Sequence, residues 1–417
     1  MKVLHISTYK FGGAGQVATE IHKEFLNHKI DSYLLTKVGK TDHDKEFSFN
    51  EGNQEKLFSK ILLRISLIIK QLVFEKKYYF LNIKESRNDL NTELIISKIK
   101  FIPEIIYCYW VSDFIDIKTL EEFHSKYNTK VYWIMMDNSP ITGGCHFNWG
   151  CSNIKNECEK CPAIRLSALK QLSRSNYLHK KKYASNINLI ACSTSDYKRA
   201  LESKLPFRKI HRLYLPVDSN KFKPTKKRKD PNKIIISYGV TYYNDPRKGF
   251  DDFLNALYRF EEIYKPLRAE KKIEIRIFGS IPQQKRIAIE KRLKSSVKFL
   301  GPIPIQDLIF LLQESDIFIN TSIEDSGPYI INQSLMCGIP VISYAVGVAK
   351  DLILSNHNGF IVPKHDIVGI ANSLNKFVNL SEDDIHKLKL EARKSALQKL
   401  AYHEVIKLHR KLWLENE

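Results

Sequence analysis

No stretch of this 417-residue sequence reaches the roughly 18 uninterrupted apolar residues that a membrane-spanning helix needs. The start does not read as an export signal either. Met1 and Lys2 run straight into Val3, Leu4, His5 and Ile6, a buried-strand pattern without a cleavage site. The two absences predict a cytoplasmic protein. Acidic residues are in deficit, 46 against 66 Lys and Arg, for a formal net charge of +20. Such an excess either asks for anionic partners or reflects a Lys-, Ile- and Asn-rich composition with no functional reason. Nucleic acid is not the expected one, because the basic residues are scattered. No recognition helix, zinc-finger spacing or aromatic–basic RNA-binding signature occurs among them. Phosphorylated small molecules and anionic lipid remain.

What is present describes a folded chain of two domains. Apolar residues make up 43% and aromatics 11%, and the length exceeds one ordinary core. Residues 3–7 read as a strand, 12–15 as a glycine turn, and Val17, Ala18, Ile21, Phe25 and Leu26 recur at helical spacing before a strand at 32–36. Short apolar runs return at 105–110, 130–135 and 189–193, with a helical pattern at 117–127. A break at 215–218 leads into a linker-like stretch at 221–231. Alternation then restarts, with strands at 233–239, 273–279, 297–300, 317–320, 340–343 and 360–362. The helices between them fall at 250–264, 283–293, 305–314 and after Gly327. The pattern predicts an α/β fold of two doubly wound parallel sheets, residues 1–218 and 219–382. A last helix, about 382–413, is expected to pack back toward the first domain and makes 383–417 a separate element.

Residues 56–81 interrupt the alternation. Leu57, Ile61, Leu62, Ile65, Ile68, Ile69, Leu72 and Val73 form an apolar stripe, with Lys56, Lys60, Arg64, Lys70, Lys76 and Lys77 between them. A basic amphipathic helix of this kind either lies in the headgroup region of an anionic membrane or covers a core. The first alternative places the protein at the inner face of the cytoplasmic membrane.

Three constellations carry chemistry. Gly12, Gly13 and Gly15 stand where a strand opens a helix, so free backbone N–H groups point above the sheet. A plain tight turn is the other reading. The run is not the dinucleotide fingerprint, which disfavours an NAD enzyme. Arg247 and Lys248, before Gly249, occupy a strand-to-helix loop where two cations either clamp a diphosphate or are simply solvated. Glu324, Asp325, Ser326 and Gly327 follow the strand at 317–320, with Asn332 and Gln333 two turns later. Carboxylates and amides so placed suit a polyhydroxyl ligand, although a carboxylate there also serves as a helix cap.

A fourth cluster, Cys145, Cys151, Cys158 and Cys161, lies within 17 residues. Four thiolates would hold a structural zinc tetrahedrally, with His146 as a spare ligand. Free buried thiols and disulfides are the alternatives, the last disfavoured in a reducing compartment.

Together these blocks resemble the retaining, family-four glycosyltransferases of the GT-B fold. The resemblance rests on the early Gly-Gly turn, on Lys248-Gly249, and on residues 321–340 followed by Val341, Ile342 and Gly347. The segment from Met136-Asp137-Asn138-Ser139-Pro140 to Gly143-Gly144-Cys145-His146 is similar to a cysteine-bearing branch associated with bacterial surface-polysaccharide synthesis. The likeness implies two facing Rossmann-like domains with a deep interdomain cleft. It implies a nucleotide-sugar co-substrate and no catalytic metal. The acceptor would be a glycan, a polyprenyl-diphosphate-linked oligosaccharide or lipopolysaccharide. The family's diphosphate-holding lysine matches Lys248. Its arginine is missing where Val240 stands, so Arg247 is expected to substitute. Its paired glutamates fall on Asp325, toward the donor sugar, and Gln333, toward the ribose. Many relatives have a histidine before the first-domain aspartate; here it is Met136, which leaves Asp137 as the active-site side chain. Other enzymes of the same fold, epimerases or phosphorylases, and a non-catalytic binding protein are the rival readings.

Overall fold

A computed structural model of the chain describes residues 1–51, 72–81, 90–225, 230, 232–265 and 271–414. It divides into two compact units, Met1–Leu213 with Arg410–Glu417, and Tyr214–His409.

Unit 1 is built on seven parallel strands: β1 (Lys2–Tyr9), β2 (Asp31–Val38), β3 (Glu46–Asn50), β4 (Ile105–Cys108), β5 (Lys130–Ile134), β6 (Ile187–Ala191) and β7 (Ile210–Arg212). They lie in the order β3-β2-β1-β4-β5-β6-β7. Strands covered on both faces must be apolar on both, and β1 is buried without interruption from Val3 to Thr8. Leu4, Ile6, Val131, Trp133 and Leu189 meet Leu120 and Phe123 of helix Ile117–Tyr127 in one core. The order reverses between β1 and β4. Ligands of open α/β sheets bind at such a switch point, outside the carboxyl ends of the strands.

Unit 2 repeats the plan with six parallel strands: β8 (Lys233–Tyr242), β9 (Lys272–Ser280), β10 (Ser296–Gly301), β11 (Ile317–Asn320), β12 (Val341–Tyr344) and β13 (Gly359–Val362). Their order is β10-β9-β8-β11-β12-β13, which puts the switch point between β8 and β11. Ile236, Tyr238, Ile277, Ile319 and Ile342 pack against Phe253, Leu257 and Phe260 of helix Phe250–Ile263. Helix Ile367–Val378 adds Ile370, Leu374 and Phe377 to the same core.

Three elements depart from the expectations. β3 has an acidic residue facing inward, which hides it from hydropathy. Glu46 is buried because Lys10 Nζ stands 2.6 Å from its carboxylate and the Asp42 amide donates to it at 2.7 Å. The single last helix is two, Glu382–Leu400 and Tyr402–Leu414. Ala401 between them is extended and pairs with Val217. The first helix packs on unit 2, where Leu388, Ala392, Ala396 and Leu400 are buried and Arg393 donates to the carbonyls of Ser219 and Phe222. Only the chain from Arg410 on belongs to unit 1, with Trp413 Nε1 donating to Tyr107 Oη at 2.8 Å. Finally, the basic stripe at 56–81 falls mostly outside the described residues. Its described end, 72–81, puts Phe74, Tyr78 and Phe80 into a buried cluster with Cys145, Cys161 and Ile164. No helix among the described residues is long and apolar enough to cross a membrane.

Candidate functional site

The carboxyl end of unit 2's sheet brings the predicted donor residues together. After β8 the chain turns through a 3₁₀ segment, Pro246–Lys248, capped by Asp245, whose side chain accepts from the Arg247 amide. Gly249 follows with φ +60, and a Cβ there would stand 2.1 Å from the Thr321 carbonyl oxygen. Only glycine fits, so the loop after β8 sits directly against the loop after β11. The Thr321 hydroxyl donates to Gly249 O at 2.8 Å, Tyr238 Oη to Lys248 O at 2.9 Å, and the Ile323 amide to Arg247 O at 2.6 Å. These bonds fix where Lys248 leaves the backbone.

Lys248 Nζ lies 2.6 Å from Asp325 Oδ2, while the Gly327 amide donates to Oδ1 at 3.1 Å. Burial alone would raise the Asp325 carboxyl. The ammonium beside it, helped by Arg247, more than offsets this and holds it below its ordinary value. Gly347, at φ +53, lets the chain pass under this loop, since a Cβ would meet Ser326 O at 2.6 Å. The Ser326 hydroxyl is buried and has no hydrogen-bond partner among the described residues. An unsatisfied buried hydroxyl is costly, and a ligand hydroxyl would satisfy it. Glu324 is buried beside it, and Gln333 lies in helix Tyr329–Met336, also buried. Asn332 turns away from the set, donating to Leu215 O at 2.9 Å.

Arg247 is not the second free cation that the adjacent pair suggested. Its guanidinium forks onto Asp245, Nε to Oδ1 at 3.1 Å and Nη2 to Oδ2 at 2.6 Å. The bidentate bond takes the geometry a phosphate would use. Arg247 braces the loop, and Lys248 is left as its presented charge.

In unit 1 the glycine turn joins β1 to helix Gly12–Asn27, whose N-cap Phe11 makes no side-chain cap bond. The three glycines divide in role. Positions 12 and 13 face open space, whereas a Cβ on Gly15 would stand 2.3 Å from Tyr9 O. Gly15 therefore serves helix-to-strand packing. Lys10, in the same turn, was not singled out in the sequence; it carries the bond to Glu46 that seats β3.

Asp137 follows β5 and is buried, with 7% of its side chain exposed. The Ser139 amide donates to Oδ1 at 2.7 Å, and His146 Nδ1 stands 2.6 Å from Oδ2. The histidine missing at position 136 has a spatial counterpart at 146. His146 is thus not a spare ligand of the cysteines: Ser112 Oγ lies 3.1 Å from Nε2, and Trp110 Nε1 lies 3.0 Å from Nδ1. Trp110 and Ser112 follow β4, and the Thr8 hydroxyl of β1 donates to Ser112 O at 2.9 Å. The switch point of unit 1 is built from these groups. Their partners are remote in sequence, so no local spacing announced them.

Cys145, Cys151, Cys158 and Cys161 line one small cavity with Tyr78 and Thr142. All four are free thiols. Burial pushes up the thiols of Cys145, Cys158 and Cys161, that of Cys158 to about 11 although the Gly143 amide donates to its sulfur at 3.2 Å. No group of three or more His, Cys, Asp or Glu stands at metal-holding positions among the described residues.

Residues 218–395 match the family glycosyl transferases group 1. The putative colanic acid biosynthesis glycosyltransferase WcaL of Escherichia coli K12 is 25% identical over 199 residues, 45% of this chain and 47% of WcaL. The chain thus matches about half the length of that relative. A glycosyltransferase of Rickettsia africae has a similar fold over 100% of this chain and 99% of its own, with TM-score 0.64 and 16% identity. Anabaena Alr3699/HepE, solved in complex with UDP and glucose, covers 99% of both chains with TM-score 0.61 and 15% identity. The chain has the GT-B fold, and its residues 218–395 match the family glycosyl transferases group 1.

Proposed function

We propose that the protein is a retaining glycosyltransferase that moves a sugar from a nucleoside-diphosphate sugar to a glycan or lipid-linked acceptor in surface-polysaccharide synthesis. The observation that carries this is the Lys248–Asp325 pair, held at the switch point of unit 2 inside the matched family region. The surface-polysaccharide pathway is taken from the similarity to WcaL, whose name gives colanic acid biosynthesis, and the donor class from HepE, solved in complex with UDP and glucose.

Breaking the bond from the anomeric carbon to the diphosphate oxygen leaves positive charge on the sugar and negative charge on the leaving group. The Lys248 ammonium meets that negative charge, and Asp325, Ser326 and Glu324 face the sugar hydroxyls. Such preorganised charge contributes several kcal/mol to a barrier in a closed site. In this reading a metal is not needed for the leaving charge. The acceptor oxygen attacks from the face the diphosphate leaves, so configuration is retained, and its proton passes to a phosphate oxygen of the leaving group. Gln333 is assigned to the ribose, and Asp137 orients the acceptor side.

The test is a screen of nucleoside-diphosphate sugars for diphosphate release, with anomeric analysis of the product by NMR. An inverted product overturns retention, and absence of any turnover across the screen overturns the transferase.

A further inference from the structure

The cysteine loop plays no part in the chemistry above, yet it is elaborately seated. The backbone of His146 is held on two sides: its amide donates to Tyr78 O at 3.1 Å, and its carbonyl accepts from the Asn138 amide at 3.0 Å. Behind it, Phe80 pairs with Cys145 and Phe74 with Ile164, the two phenyl rings stacked 4.8 Å apart. From the opposite side the fully buried Lys180 ammonium donates to Ser139 O and Thr142 O, both at 2.7 Å. This clamps the turn that joins Asp137 to the loop.

The bond that results is specific in direction. Nδ1 of His146 cannot both donate to Asp137 and accept from Trp110. The 2.6 Å contact is to a carboxylate, which only accepts, so Nδ1 carries the proton, and Ser112 Oγ lies 3.1 Å from Nε2. With both oxygens held by Ser139 and His146, the Asp137 carboxylate cannot rotate.

We propose that the cysteine loop serves to deliver His146 to Asp137, and that His146 is the positioning residue for this carboxylate. The proposal rests on the transferase reading for the role of Asp137, and it assigns to position 146 the imidazole that position 136 does not supply.

The experiment compares the full chain with His146→Ala, His146→Asn, Asp137→Ala and the double variant His146→Ala/Asp137→Ala. It measures turnover, donor KM and thermal unfolding. His146→Ala is expected to lower kcat at least about thirtyfold with donor KM within about twofold. His146→Asn, whose amide nitrogen stands near the place of Nδ1, is expected to recover most of that loss, which general loosening of a core would not do. The double variant is expected to be no slower than Asp137→Ala. Unchanged kcat in His146→Ala, equal damage from Asn and Ala, or losses that multiply would overturn the proposal. If the wild-type chain turns over no donor, the transferase reading fails by itself. The coupling of the two positions is then read from the unfolding cycle, where strictly additive effects overturn the positioning role.

Discussion

Lys248 Nζ and Asp325 Oδ2 stand 2.6 Å apart, one on the loop after β8 and the other on the loop after β11. The two loops meet at the point where the strand order of unit 2 reverses. Their side chains remain 25% and 13% exposed, so an incoming anion and a sugar hydroxyl can reach them. The two charges neutralise one another across the two loops.

Removal of the cation should therefore be felt in turnover. Lys248→Ala is expected to cut kcat at least about a hundredfold, the size of effect found when one preorganised charge-stabilising group is deleted. Asp325→Asn is expected to damage turnover more than Gln333→Ala. Steady-state kinetics check both, and the reverse order of the last two would exchange their assignments.

The same pair sets a pH dependence. Lys248 holds the Asp325 carboxyl below its ordinary value, so its ionised form and the pairing persist above the unfolded value and are lost only as pH falls through the lowered one. Lys248→Met removes the cause and leaves burial, which raises the carboxyl. The acid limb of donor binding should then move to higher pH, measured by nucleotide-sugar titration from about pH 4, the ordinary carboxylate value, upward.

Two buried imidazoles make a separate prediction about stability. Burial lowers His22 and His409 from 6.5 to about 4. Below pH 6.5 the unfolded chain takes up protons that the folded chain refuses, so their contribution is full above 6.5 and falls between 6.5 and about 4. Each contributes a slope of roughly 1.4 kcal/mol per pH unit inside that window. His22→Gln should flatten the fall of the melting temperature between pH 6 and 5 by about one proton's worth.

Glycine substitutions separate packing from presentation. Gly249→Ala combines φ +60 with a Cβ 2.1 Å from Thr321 O, and should destabilise by about 2–4 kcal/mol while displacing Lys248. Gly13→Ala meets nothing within 4 Å and should change stability by less than about 1 kcal/mol. Calorimetry with parallel kinetics checks the contrast; an equally unstable Gly13→Ala would show that the open face above the turn is not open.

The sequence by itself determined the alternating architecture, because strands buried on both faces are largely apolar, as in the run Ile317–Ile319. It also placed Lys248, Asp325 and the glycine turn at strand ends, since loop chemistry there is local. Tertiary structure alone decided which charges remain available. Arg247 and Lys248 are neighbours with identical local signals, yet Asp245 occupies the first and leaves the second to the site. It decided likewise that His146, separated from position 136 by a whole loop, stands against Asp137. It made Glu46 an interior residue through Lys10, and it broke the last helix at Ala401. For His146, Glu46 and Ala401 the deciding partner lies elsewhere in the chain, and such a contact leaves no periodicity to read. Asp245 is only two residues from Arg247, but adjacency does not reveal which of two neighbouring cations its carboxylate takes.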